Sequence, residues 1–125
     1  MKKIIPLLLA VLALAGCSSK YPYAQISMDE AIAMMAENTD YILLDVRTPE
    51  EFAEIRIPGA INVPNEEIGT DEIPELPDKE QLILVYCRSG NRSKQASEKL
   101  ANLGYSNVYE FGGIIDWPGE TVSGN

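Results

Sequence analysis

Two apolar runs, YILLDV at 41–46 and QLILVY at 81–86, constrain this chain more than any other feature. Each is nearly continuous rather than alternating, so a strand built from either needs cover on both faces. Helical patterns stand between them. In SMDEAIAMMAEN, Ser27 and Glu30 form a capping box, and Met28, Ala31, Ile32 and Met35 share one face, a stripe that reads as core. In TPEEF, Thr48 is the N-cap, Pro49 takes the first helical position and Glu51 completes a second capping box. A further helix is expected from Ser93 to Leu103, with Ala96, Leu100 and Leu103 on one side and Gly104 as its stop. Short strands are expected just before Ser27, over Ala60–Val63 and in NVYEF. Strands alternating with helices make an α/β domain with a central, mostly parallel sheet flanked by helices. Right-handed crossovers place the strand-to-helix turns on one edge, where ligands of open parallel sheets bind. Two turns meet that description, Asp45–Thr48 and Cys87–Ser93. The acidic, proline-punctuated stretch from Asn65 to Lys79 reads as a surface loop with one helical turn.

The N-terminus reads as an export signal. Lys2 and Lys3 form a basic region and Ile4–Ala15 an apolar one, shorter than the roughly 20 residues of a spanning helix. LAGC followed by SSK resembles a bacterial lipoprotein signal. That resemblance implies a signal peptide at 1–16, cleavage before Cys17 and lipidation of Cys17, which tethers a domain to a membrane without spanning it. Losing Lys2 and Lys3 takes the formal charge from −9 to −11, a balance that argues against nucleic acid or anionic lipid as a broad partner. With Cys17 lipidated, Cys87 is the only remaining thiol and no intramolecular disulfide can form.

The stretch LVYCRSGNRSKQA sets that thiol among cations. The thiolate is the nucleophile, and nearby arginines and a helix N-terminus both favour it. Gly90 lets the loop curl so that backbone N–H groups can form an anion nest, and Ser89, Asn91 and Ser93 add small polar donors. Arg88, Arg92 and Lys94 bring positive charge, with no acidic residue from Cys87 to Ser97. The chain has no histidine, so a Cys–His pair and histidine-based metal sites are both excluded. No cofactor is implied. The constellation suits a thiolate that attacks an anionic substrate and then holds an anionic intermediate.

LLDVRTPEEF, IPGAINVP and VYCRSGNRS, closed by GYSNVYEFGGIIDW, together resemble a single-domain rhodanese of the thiosulfate sulfurtransferase family, from Ile26 to about Trp117. The resemblance implies a tether at 17–24, a rhodanese-like domain at 25–120 and a C-terminal tail at 121–125. It also implies a six-residue active-site loop, Cys87–Arg92, with Cys87 catalytic. Attack on thiosulfate or a similar sulfane donor would release sulfite and leave a Cys87 persulfide, whose sulfur passes to a thiol or to cyanide. Arg88, Ser89, Gly90, Asn91, Arg92 and Ser93 would bind the donor and stabilise the persulfide. The partners implied are a small sulfur-containing anion, a thiol acceptor, a membrane touched only through the N-terminal lipid, and a partner protein as alternative donor or acceptor. Related phosphatases and arsenate reductases carry five residues between cysteine and arginine, where this chain has four, which favours sulfur without excluding an oxyanion. A persulfide carrier and a silent interaction domain stay open beside the enzyme. Asp45 and Arg47 are either supporting site residues or a structural ion pair, with Glu50 or Glu51 as further partners. Ile55 and Arg56 stand where the family often has glycine and histidine, leaving Arg56 as a solvated residue or another cation near the site. Trp117 is expected in a lid or in the core.

Overall fold

The computed structural model describes residues 22–124. Its strands are β1 (Ala24–Gln25), β2 (Tyr41–Asp45), β3 (Ile61–Asn62), β4 (Leu82–Cys87) and β5 (Val108–Gly113). They form one sheet in the order β1-β5-β4-β2-β3, and every pairing is parallel. Among the described residues three α-helices accompany them: α1 (Met28–Glu37), α2 (Pro49–Glu54) and α3 (Asn91–Asn102). The expected architecture is therefore the observed one. Both capping boxes form, Ser27 with Glu30 on α1 and Thr48 with Glu51 on α2, so four orphan helix N–H or cap N–H groups are satisfied by side chains next to them in sequence.

The two continuous apolar runs occupy adjacent strands, Leu43 beside Leu84 and Leu44 beside Val85. Strand alternation divides them between two cores. Ile83, Val85 and Cys87 join Leu44 and Val46 under Ala96 and Leu100 of α3. Leu84 and Tyr86 join Leu43 and Phe111 on the other face, against Ala31, Met28, Met34 and Met35 of α1. Burying both faces supplies the cover that the runs require.

Three segments differ from the sequence reading. The 65–79 stretch keeps its acidic side chains in water and has one short 3-10 turn, Asn65–Glu67. It is not only surface, because Ile68, Ile73 and Leu76 are buried in the α3-side core. Tyr23 and Ala24, assigned above to the tether, belong to the folded unit: Tyr23 is buried and Ala24 pairs with Tyr109. The tail is pinned as well, through an antiparallel bridge between Arg56 and Val122 and a bond from Gly124 N to Ala53 O. The signal region and Cys17 lie outside the described residues. Among the described residues no helix is long and apolar enough to cross a membrane.

Candidate active site

Cys87 is the last residue of β4, and only Arg88, Ser89 and Gly90 separate it from α3. The helix starts at Asn91, two residues before the expected position, because Gly90 at φ 113° serves as its N-cap. Asn91, Arg92 and Ser93 thus form the first helical turn instead of a loop, and their backbone N–H groups are among the orphan donors of a helix N-terminus. The turn folds back on the thiol. Gly90 donates its N–H to Cys87 Sγ at 3.0 Å, and Sγ lies 3.4 Å from Ser93 Oγ. Cys87 is 1% exposed and Ser93 fully buried, whereas Arg88, Ser89 and Asn91 are exposed.

The turn is held against β5 by two glycines that differ in kind. Gly113 makes the close approach: a Cβ there would stand 1.9 Å from the Arg88 carbonyl oxygen. Gly112 has open space around it but a φ of 99°. That conformation accompanies a register irregularity, since Val85 pairs with Glu110 while Cys87 pairs with Gly113. An extra residue at a sheet end re-aims its neighbours. Here the Glu110 side chain is left buried at 2% exposure, accepting 2.5 Å from Ser93 Oγ and 2.9 Å from Gly112 N. Lys94 Nζ lies 3.9 Å from its other oxygen. Sequence reasoning missed Glu110. Its signal was a charged residue inside a strand whose two faces are both covered.

Arg92 is brought to the site but is not free. Its Nη1 and Nη2 donate to Glu51 Oε1 and Oε2 at 2.7 and 3.1 Å. That contact is the main reason the Glu51 carboxyl drops from 4.5 to about 2, and the same pairing, with a smaller contribution from Cys87, raises the Arg92 guanidinium. Asp45 and Arg47 pair with each other, not with Glu50 or Glu51. Arg47 Nη2 reaches Asp45 Oδ2 at 2.6 Å and the Ile55 carbonyl at 2.5 Å, while Arg47 N caps Asp45 Oδ1 at 2.9 Å. Although burial opposes the charge, the Asp45 carboxylate keeps the Arg47 guanidinium above its ordinary value. Asp45 lies opposite Tyr86 in register, on the α1 side of the sheet, whereas Cys87 faces α3. Burial, with Asp45 adding to it, pushes the Tyr86 phenol up, and its oxygen accepts from Ile57 N at 3.2 Å. The geometry thus makes the pair a buried strut under the turn, separated from Sγ by the sheet.

Arg56 is a partly exposed residue at the surface with no observed contact to the thiol. It donates to Phe52 O at 3.2 Å and Gly124 O at 2.5 Å, with its guanidinium 4.7 Å from the Phe52 ring centroid. Trp117 packs against the α1-side core and donates Nε1 to Glu120 O at 2.9 Å.

A cysteine at the carboxyl end of a central parallel strand, in a short turn that runs into a helix, agrees with a family profile covering most of the chain. The rhodanese-like domain profile matches residues 27–120. The chain belongs to the rhodanese-like domain family. It is a sulfurtransferase of the rhodanese type, and its relatives carry that activity in their names. Thiosulfate sulfurtransferase PspE of Escherichia coli K12 is 40% identical over 73 residues, 58% of this chain and 70% of its own. Thiosulfate sulfurtransferase GlpE of Pseudomonas entomophila is 34% identical over 108 residues, 82% of this chain and 95% of its own. The solved structure described as rhodanese with anions from E. coli superposes with a TM-score of 0.61 at 37% identity, over 67% of this chain and 99% of that one. Residues 1–18 of this rhodanese-like chain match the prokaryotic membrane lipoprotein lipid attachment site, a signal for lipid-anchored membrane association.

Proposed function

We propose that this chain moves sulfane sulfur from thiosulfate, or a donor of the same chemistry, to a thiol through a persulfide on Cys87. The Cys87 thiolate attacks the outer sulfur of the donor, forming a new S–S bond. The donor's own S–S bond breaks, and its electron pair leaves with sulfite. An acceptor thiolate, or cyanide in an assay, then takes the outer sulfur and returns Cys87 as thiolate. No oxidant or reductant is consumed within the cycle.

The observation that carries this reading is the contact of Gly90 N–H with Cys87 Sγ at 3.0 Å, at the end of a strand and four residues before α3 begins. A preorganised donor stabilises sulfur-centred negative charge without reorganising during reaction. The exposed Arg88, Ser89 and Asn91, with the half-buried Arg92, would supply cationic and hydrogen-bonding groups for an anionic donor. Four residues between Cys87 and Arg92 make a tighter turn than a five-residue phosphate cradle, which favours sulfur over a tetrahedral oxyanion. Lipidation at Cys17 would hold this chemistry at a membrane on the extracytoplasmic side.

Steady-state transfer from thiosulfate to cyanide and to a small dithiol tests the reading, with Cys87→Ser beside the wild type. The expected result is turnover in the wild type and none in the variant. Hydrolysis of a phosphoester in place of sulfur transfer would overturn it.

A further inference from the structure

We propose that Glu110 is the proton acceptor for Cys87, reached through the hydroxyl of Ser93. The inference rests on the sulfur-transfer reading only in that Cys87 must ionise to act. Its starting point is an acid in a costly place: Glu110 is 2% exposed on a strand whose neighbour at the same level is Val85. A buried carboxylate needs compensation, and its nearest cation, Lys94, is 3.9 Å away and half exposed. What it does have are two donors to Oε2, the Gly112 N–H at 2.9 Å and the Ser93 hydroxyl. That hydroxyl carries one proton and has three acceptors within reach, Gly90 O at 3.1 Å, Gly112 O at 3.4 Å and Glu110 Oε2 at 2.5 Å. The shortest contact commits the proton to Glu110, which leaves the Ser93 oxygen to accept from Cys87 Sγ, 3.4 Å away.

Cys87, Ser93 and Glu110 therefore form a buried line from thiol to carboxylate. In the transfer, the Cys87 S–H bond breaks and its proton joins Ser93 Oγ. The proton already on Ser93 passes to Glu110 Oε2. A thiol and a carboxylate become a thiolate and a carboxylic acid, with no change in total charge. In the second half of the cycle the proton can return along the same line. The chain has no histidine to do this work, and Arg92 shares its charge with Glu51. The other charged groups around the line are Arg88 in the turn, Arg92 and Lys94 on α3, Glu51 on α2 and, acting on Arg92 from the 3-10 turn, Glu66; on the β1 side, Glu110 faces the uncharged Gln25 in register. Ser93 touches the nucleophile, whereas Glu110 acts through it as a positioning and proton-holding residue.

An internal proton transfer leaves the number of bound protons unchanged, so the thiolate it forms is independent of pH wherever the pair shares one proton. The test is the rate of Cys87 alkylation by iodoacetamide between about pH 5 and about pH 9 in the full chain, read from the mass of the Cys87 peptide. The wild type is expected to show a plateau on the acid side of the thiol's main rise. Glu110→Gln and Ser93→Ala should each lose the plateau, their rates falling about tenfold per pH unit as the thiolate is titrated away. The double variant should be no slower than either single one, since both interrupt one line. Ser93→Thr, which keeps the hydroxyl, should keep the plateau. A wild-type profile without a plateau overturns the proposal whatever the variants do. So does Glu110→Gln reacting as fast as wild type or faster at acid pH, the result if the Glu110 charge merely opposes the thiolate. A plateau in a chain that takes up no sulfur from thiosulfate would support the relay while contradicting the donor reading, so the two fail separately.

Discussion

Arg92 and Glu51 form a two-pronged ion pair that fastens the first turn of α3 to α2, with Nη1–Oε1 at 2.7 Å and Nη2–Oε2 at 3.1 Å. The same carboxylate also closes the capping box of α2 through Thr48. One side chain thus fixes both a helix start and a guanidinium that feels the Cys87 charge. Its folded-state value of about 2 lies below 4.5, so its contribution is present above pH 4.5 and is lost as pH falls from there toward 2. Both side chains are partly exposed, which screens the pair. Glu51→Gln should lower stability by about 1 kcal/mol at neutral pH. Urea titrations should show that gap closing between about pH 4.5 and about pH 2; a gap unchanged at acid pH would count against the pair as its source.

Arg92 should matter to the donor more than to the fold. Removing a charge-assisted contact to an anion forfeits about 1.5–3 kcal/mol, so Arg92→Ala should lower kcat/KM for thiosulfate by about tenfold to a hundredfold. Initial-rate kinetics on folded variant and wild type measure this. An unchanged kcat/KM would mean that the donor never meets this guanidinium.

Gly113 is required by contact and Gly112 by conformation. Alanine at Gly113 would collide with the Arg88 carbonyl, a backbone atom that cannot rotate away. Gly113→Ala should cost about 1–3 kcal/mol by overpacking and displace the turn, slowing Cys87 alkylation. Thermal unfolding and alkylation rates together check it; a variant with wild-type values in both would show that the turn does not depend on this approach.

The buried Asp45–Arg47 pair is expected to serve stability alone. Asp45→Ala strands a guanidinium at 2% exposure and should cost about 3–5 kcal/mol. Any folded fraction should keep the wild-type alkylation profile at Cys87, because the pair sits on the other face of the sheet. A shifted profile in folded protein would give Arg47 a part in the substrate field.

Much of the fold is legible in the sequence. Local chemistry announced itself: Ser27 with Glu30 and Thr48 with Glu51 signal their helices within four residues, and both boxes form. The apolar runs fixed the parallel sheet and put Cys87 at its carboxyl edge. Less readable features depend on neighbours distant in the chain. Glu110 looks like an outward residue of a last strand until the first turn of α3 brings Ser93 and Lys94 to its carboxylate, where it is buried. Arg92 reads as a free cation until α2 presents Glu51, 41 residues away in sequence. The start of α3 is hidden in the sequence because Gly90 acts as an N-cap without a side chain, leaving none of the usual Ser, Thr, Asp or Asn signal. Ile68, Ile73 and Leu76 were hidden in an acidic stretch that has one face in water and three anchors in the core.

Sulfur transfer by this chain requires that Cys87 take up sulfur. The most direct measurement incubates the reduced full chain with thiosulfate and follows intact mass, the mass of the Cys87 peptide and released sulfite together. One added sulfur atom on Cys87, matched by one sulfite and absent in Cys87→Ser, is the predicted result. A thiol that alkylates freely yet gains no sulfur and releases no sulfite would contradict it.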